Sequence, residues 1–380
     1  MEMLPKLIIF LSLLLMASVS AISIIPIKPD KPKNTTKPTK PDKPNKPTKP
    51  DKPNKPTKPD KPNKPDKPTR AKSMFVFGDS LFDGGNNGLM KNCTIQANFP
   101  PYGSTFFKRP TGRFSNGRTV ADFIAQFLGI ELQKPYVAVN QQLTTGKRKD
   151  VPANGLNFAS GGSGVLAATN KRLGVTALQV QTNQFQALID KKLISKEQIA
   201  NSLYIISSDS MLKEVSGVLD KLCKIGARRI AVFHVGPMGC IPAKVMIPAA
   251  PNTPCLDVIN DMIRYYNKGL EKLATGLPKK CPGLKSVYGL VYNITLTIQA
   301  NPKKHGYVNI KDACCGDGPQ NGKVQCGKET YKTCKNPHQY FFWDHFHPTE
   351  HTYEILAKSL WGGDKSNIMP MNIKTLTSAA

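Results

Sequence analysis

The stretch that decides the fold is Met74-Phe75-Val76-Phe77-Gly78-Asp79-Ser80, followed by Leu81-Phe82-Asp83-Gly84-Gly85-Asn86-Asn87. Four apolar strand-formers run into Gly-Asp-Ser, which reads as a buried parallel strand that stops at a tight turn. Open α/β sheets hold their ligands at such strand ends. A serine there can face a cleft, with its own N–H and neighbouring donors free to hold an anion. Gly-Asp-Ser by itself is equally readable as a surface turn, so its meaning depends on the rest of the chain.

Working outward, short apolar strands are expected at 74–78, 156–159, 203–207, 229–235 and 286–292. Helical patterns lie between them, clearest at Val120–Leu128, Leu178–Ile189 and Leu256–Leu273. In the last, Leu256, Ile259, Ile263, Tyr266, Leu270 and Leu273 recur at helix spacing, which makes a core-facing stripe. Strands alternating with helices imply α/β architecture, a parallel sheet of about five strands covered on both faces. One domain over residues 71–380 follows.

What precedes that domain has a different character. Lys6, an apolar run from Leu7 to Met16 and small residues ending at Ala21 have the layout of a signal peptide over residues 1–21. That run is too short to span a membrane comfortably, and no other stretch approaches the length of a membrane helix. Residues 22–70 are dominated by a Lys-Pro-X repeat from Lys28 to Arg70, X being mainly Asp, Asn or Thr. Proline at every third position removes donors and excludes helix and sheet, so a disordered, polyproline II-like tail is expected. It reads either as a solvated spacer or as a cationic tether to acidic cell-wall polysaccharide.

The tail explains only part of the formal charge of +27. Residues 1–70 hold sixteen Lys and Arg against six Asp and Glu, which is +10, and residues 71–380 keep +17. Nucleic acid would be the first partner to consider for such a chain. Secretion argues against it and favours an anionic polysaccharide or surface outside the cell.

Nine cysteines suit an oxidising compartment. The odd number leaves at least one unpaired, and Cys223 is expected to be it, because Leu219, Leu222, Cys223 and Ile225 form an apolar helical pattern. Cys240 with Cys255, and the group from Cys314 to Cys334, suggest local bridges whose connectivity stays open. No Cys-x-x-Cys pair supports a zinc site, so neither metal nor cofactor is expected. Sequons at Asn34, Asn92 and Asn293 fit a secreted glycoprotein. Gly162-Ser163-Gly164-Val165-Leu166-Ala167 fits a dinucleotide-binding pattern after a strand, a weak match taken alone.

Near the C-terminus stands Phe342-Trp343-Asp344-His345-Phe346-His347-Pro348-Thr349-Glu350. In a tight turn Asp344 and His347, three apart, share a face. A carboxylate there can orient an imidazole and stabilise its protonated form, which in turn activates a serine hydroxyl. His345 competes for the role but, two residues from Asp344, tends to point elsewhere. The competing reading is a solvated turn that opens a helix at Pro348-Thr349-Glu350.

These stretches, with Pro110-Thr111-Gly112-Arg113-Phe114-Ser115-Asn116-Gly117, Gly155 through Gly162, Gly226-Ala227-Arg228-Arg229 and Gly236 through Pro242, strongly resemble the plant GDSL esterase/lipase family of the SGNH hydrolases. The Lys-Pro tail is similar to that of the proline-rich, anther-type members. The resemblance covers nearly everything after residue 73. It implies a flavodoxin-like three-layer α/β/α sandwich and a secreted, extracellular ester hydrolase acting on an acyl ester or lipid. Ser80 would be the nucleophile, His347 the base and Asp344 its orienting carboxylate. The oxyanion would be held by the Ser80 and Gly162 N–H groups. No Gly-x-Ser-x-Gly elbow of the ordinary α/β-hydrolases occurs.

The chain departs from the family at one place. An Asn in a Gly-x-Asn-Asp stretch would supply a further oxyanion donor after the third strand. Here the sequence reads Leu203-Tyr204-Ile205-Ile206-Ser207-Ser208-Asp209-Ser210, and the run onward to Gly226 is shorter than usual. Ser208 offers only a hydroxyl in its stead. Loss of one such donor costs about 10²–10³ in turnover. The second expectation is therefore a weakly active or inert family member that serves as a wall-associated binding protein.

Overall fold

Strand β1 (Ser73–Phe77) forms because its residues alternate between two apolar layers. Met74 and Val76 face one layer, Phe75 and Phe77 the other, and all five residues are buried. A parallel strand covered on both faces needs this continuous apolar run. The computed structural model describes residues 71–163, 173–208, 211–248, 253–328 and 330–378. The leader, the Lys-Pro repeat with Asn34, and positions 164–167 of the glycine-rich match lie outside the described residues.

β1 pairs in parallel with β3 (Gly155–Asn157) on one side and β4 (Ser202–Ser207) on the other. β5 (Arg229–Phe233) and β6 (Lys285–Gly289) continue the parallel sheet beyond β4. Counted among these five in chain order, the strands lie 2-1-3-4-5, the flavodoxin-like arrangement. The carboxyl end of β1 therefore falls where the chain reverses its direction across the sheet. Two short edge strands raise the total to seven: β2 (Lys134–Pro135), parallel to β3, and β11 (Ile368–Met369), antiparallel to β6. Sequence reading gave about five because a two-residue strand has no periodicity to detect.

Helices cover both faces. Against Met74 and Val76 pack α1 (Val120–Leu128), α7 (Val291–Ala300), α8 (Glu350–Gly362) and α9 (Ile373–Ser378). Against Phe75 and Phe77 pack α2 (Tyr136–Thr144), α3 (Leu178–Asp190), α4 (Lys196–Ala200), α5 (Leu212–Lys224) and α6 (Asp257–Lys280). This is the three-layer α/β/α sandwich. The expected strand at 286–292 ends at Gly289, since the apolar run crosses directly into α7. The expected helix at 256–273 continues to Lys280 and carries Pro278 in its last turns.

Between α7 and α8 lies an insertion with two small strand pairs. β7 (Asn309–Ala313) pairs with β10 (Tyr340–Phe342), and β8 (Cys315–Gly316) with β9 (Lys332–Thr333). Cys314–Cys334 and Cys315–Cys326 bridge it, and Tyr102, Phe114 and Trp343 pack on the buried cystines. Cys240 pairs with Cys255 as expected. Cys223 does not stay free: on the last turn of α5 it meets Cys281, just past α6, and the two are bonded. The apolar pattern around Cys223 marked burial between two helices, which is also where a second cysteine can reach. The unpaired cysteine is Cys93, buried in the loop after β1, with its thiol donating to the Ile95 carbonyl at 3.4 Å.

Candidate active site

The turn after β1 is held from several directions. Gly78 has φ +148°, and a Cβ there would lie 2.3 Å from the Ser207 carbonyl oxygen, so only glycine lets β1 and β4 end side by side. Gln181 of α3 clamps the same residue: its Oε1 accepts the Gly78 N–H at 2.9 Å and its Nε2 donates to the Gly78 carbonyl at 2.8 Å. Asp79 accepts from the Leu81 N–H at 3.0 Å, which closes the turn and presents half-buried Ser80 beyond the sheet edge.

The second element comes from the loop between β10 and α8. Trp343 N–H donates to the His347 carbonyl at 2.7 Å, and Thr349 caps α8, its hydroxyl accepting the Thr352 N–H. The carboxylate of Asp344 folds back over this turn and accepts the N–H groups of Phe346 (2.9 Å) and His347 (2.8 Å). The helix opening and the Asp-x-x-His pair are therefore one structure rather than competing readings.

A continuous chain of hydrogen bonds joins the two elements. His347 Nε2 lies 2.8 Å from Ser80 Oγ, and His347 Nδ1 lies 2.8 and 2.9 Å from the Asp344 carboxylate oxygens. Beneath them the Tyr102 hydroxyl donates to Asp344 Oδ2 at 2.6 Å. Asp344 is fully buried. Burial alone would raise its carboxyl, but the His347 charge and hydrogen bond, His345 and the Tyr102 hydroxyl outweigh burial and hold it well below the usual carboxylate range. Phe114 lies tilted over His347 with ring centroids 4.9 Å apart. His345 is turned away from this chain, its Nδ1 buried without a hydrogen-bond partner among the described residues.

Beside the β1 turn lies the loop Ser160-Gly161-Gly162, whose Ser160 N–H donates to the Gly78 carbonyl at 3.0 Å. The Gly161 N–H donates to Asp83 Oδ2 at 3.0 Å, and Asn87 accepts the Ser160 hydroxyl at 2.5 Å and donates to the Gly161 carbonyl at 2.7 Å. Asp83 also accepts from Gly85 and Asn86 (2.8 and 2.7 Å), and burial still pushes its carboxyl up to about 6 against these donors. Gly162 has φ +73°, and Ile95 and Val175 lie 3.5 and 3.7 Å from the position of an added Cβ, which gives this loop an apolar wall. Ser208 is buried one residue past β4, and its carbonyl accepts the Tyr266 hydroxyl at 2.9 Å. Asn92 and Asn293 are exposed.

Tyr102 and Gln181 escaped the sequence reading. For Tyr102 the only local signal is Pro100-Pro101-Tyr102-Gly103, which reads as a turn. For Gln181 there is none, because it sits in the core stripe of α3.

A flavodoxin-like sheet with a Ser–His–Asp hydrogen-bond chain off the strand after which Gly-Asp-Ser stands defines an SGNH-type hydrolase, distinct from elbow-bearing α/β-hydrolases. The chain belongs to the GDSL-like Lipase/Acylhydrolase family, whose profile matches residues 74–360. It is 46% identical over 329 residues to GDSL esterase/lipase 6 of Arabidopsis thaliana, spanning 80% of this chain and 90% of that protein. GDSL lipase of Tanacetum cinerariifolium is 31% identical (81% and 88% covered), and GDSL esterase/lipase 7 of Arabidopsis thaliana 32% (80% and 92%). The protein is thus a hydrolase of the esterase/lipase kind.

Proposed function

We propose that the protein is a secreted carboxylic ester hydrolase that works through an acyl-enzyme on Ser80. The observation that carries this reading is the hydrogen-bond chain Ser80–His347–Asp344, with 2.8 Å at each His347 link. Ser80 Oγ attacks the acyl carbon while His347 Nε2 takes its proton. Asp344, held ionised, keeps the Nδ1 proton facing itself and stabilises the imidazolium. The tetrahedral oxyanion is received by the N–H groups of Ser80 and Gly162, neither of which donates to another group among the described residues. Collapse expels the alcohol with the proton from His347. A water, deprotonated by the same imidazole, then attacks the acyl carbon; the acyl–Oγ bond breaks, His347 returns the proton to Ser80 Oγ, and the acid leaves.

The substrate is an acyl ester or lipid, and the apolar Ile95 and Val175 beside Gly162 suit its acyl part. Extracellular action is supported by the leader-like residues 1–21, the four disulfides, and the exposed sequon asparagines Asn92 and Asn293. No described helix is long and apolar enough to cross a membrane. The Lys-Pro repeat would tether the enzyme to acidic polysaccharide, and deleting residues 28–70 should abolish any salt-reversible retention that it provides.

The absent Gly-x-Asn donor favours slow turnover, and in the limit the inert, wall-binding alternative. Fluorophosphonate labelling separates the two. Label taken up by the secreted protein, and lost in Ser80→Ala and Asp344→Asn, supports the esterase. A folded wild type that takes no label overturns it in favour of the binding protein.

A further inference from the structure

The domain carries more Lys and Arg than ester chemistry uses, and part of the excess is gathered at one corner. α5 ends Lys221-Leu222-Cys223-Lys224, and α6 ends with Lys279-Lys280 before Cys281. The Cys223–Cys281 disulfide draws these helix ends together, with Cα atoms 6.1 Å apart. Both segments then run into the sheet side by side: Arg228 precedes β5, Lys285 opens β6, and the Lys285 N–H donates to the Arg228 carbonyl at 2.8 Å. The Arg228 guanidinium nitrogen Nε comes within 3.7 Å of the position of a Cβ on Gly283. Of the six cations, Lys224, Lys279 and Lys280 are exposed and the other three half-buried.

Among the described residues, carboxylates answer at least Lys280 and Lys221. Asp220 is 3.7 Å from Lys280, both well exposed, and Asp190 acts on Lys221, whose ammonium donates to Asn183 at 2.7 Å. The helix C-terminal dipoles explain why lysines are tolerated here. That effect ends within the last turn and leaves a one-sided field within a Debye length of about 10 Å. Such a field concentrates polyanions.

The corner lies at the amino ends of β5 and β6, whereas Ser80 follows the carboxyl end of β1. A partner bound at the corner therefore leaves the candidate active site uncovered. The exposed apolar side chains of α6, Val258, Met262 and Tyr265, sit on its first turns, roughly 20–30 Å along the helix from Lys279. Among the described residues, none of the six cations has an exposed large apolar or aromatic side chain as its immediate chain neighbour. Insertion into a bilayer or stacking on bases would call for one. Charge alone is on offer.

We propose that this corner docks an extended polysaccharide bearing repeated carboxylates, independently of the Lys-Pro repeat. The choice of a polysaccharide rests on the secretory reading above; the charged corner does not.

The test is lysine acetylation footprinting of the full-length protein with and without polygalacturonate. Acetylation of Lys224, Lys279 and Lys280 should slow at least threefold at low salt and recover when salt is raised. In addition, Lys224→Gln/Lys279→Gln/Lys280→Gln should elute from immobilised polygalacturonate at lower salt, with hydrolysis of a small soluble ester unchanged. Unaltered acetylation of these three lysines, with protection confined to the repeat, overturns the proposal. Equal protection by duplex DNA at matched charge overturns the choice of partner. Lack of ester hydrolysis in the wild type would count against the esterase reading and leave the footprint as it stands.

Discussion

The Tyr102 hydroxyl and the Asp344 carboxylate, 242 residues apart in the chain, meet 2.6 Å apart beneath the Ser80–His347 pair. Tyr102 is buried and Asp344 fully so, and no other side-chain hydroxyl bonds to this carboxylate among the described residues. Tyr102 thus completes the shell that holds Asp344 ionised and aimed at His347 Nδ1.

Tyr102→Phe keeps the ring packing against Trp343 and removes that donor, together with the acceptor of a long 3.5 Å bond from Gln325 Nε2. A hydrogen bond to a buried charge contributes about 1.5–3 kcal/mol, so stability in urea should fall by about that much. Turnover should drop about tenfold with KM little changed, since the loss falls on the transition state. An unchanged kcat would mean that Asp344 is positioned without Tyr102.

Asp344→Asn should have a far larger effect. An amide facing His347 Nδ1 favours the wrong tautomer, and loss of turnover on the order of 10⁴ is expected while circular dichroism stays native. A variant that keeps a tenth of wild-type turnover would remove Asp344 from the mechanism.

Gly78→Ala tests the turn. The added methyl would press on the Ser207 carbonyl at 2.3 Å in a φ range that L-residues avoid. We expect a destabilisation of about 1–3 kcal/mol and loss of fluorophosphonate reactivity as Ser80 shifts. A variant with wild-type melting and labelling would show that β1 and β4 can part without consequence.

His234 should make the fold acid-sensitive. It directly follows β5, is 4% exposed, stacks near Tyr288, and neither ring nitrogen has a hydrogen-bond partner among the described residues. Glu271 Oε1 stands 3.3 Å from Nε2 and would favour the charged ring, but Glu271 is a third exposed and burial prevails, pushing His234 down to about 4. Because its unfolded value lies higher, near 6.5, the unfolded chain takes the proton first and stability falls as pH drops from about 6.5 to 4. That drop amounts to about 3 kcal/mol. Asp83, raised to about 6 in the fold, works in the opposite sense: its contribution is full below its unfolded value of 3.8 and is lost as pH rises through about 6. His234→Phe should therefore reduce the acid-side loss measured by denaturation at pH 4 and pH 7. An identical pH dependence in variant and wild type would refute the assignment.

Cys93 should be the single thiol to titrate, and only after unfolding. Eight of the nine cysteines are paired and Cys93 is buried, with burial raising its thiol further. A thiol reagent should find none in the native protein and one per chain in denaturant; reaction in the native state would show that the loop around Ile95 opens.

Much was determined by the sequence alone. Continuous apolar runs such as Met74–Phe77 and Leu203–Ile206 can only be buried on both sides, and alternation with helices then requires a parallel three-layer sheet. Gly-Asp-Ser after β1 and Asp-x-x-His before α8 were legible because backbone turns need particular residues at particular local spacings. Tertiary structure alone decided which distant groups meet. The Tyr102–Asp344 bond, the clamp of Gln181 on Gly78, the bonding of Cys223 to Cys281 and the cationic corner it creates join segments 58 to 242 residues apart. No local periodicity encodes such contacts. They follow from how the helices pack on the sheet, and that packing is a property of the whole core rather than of any one stretch.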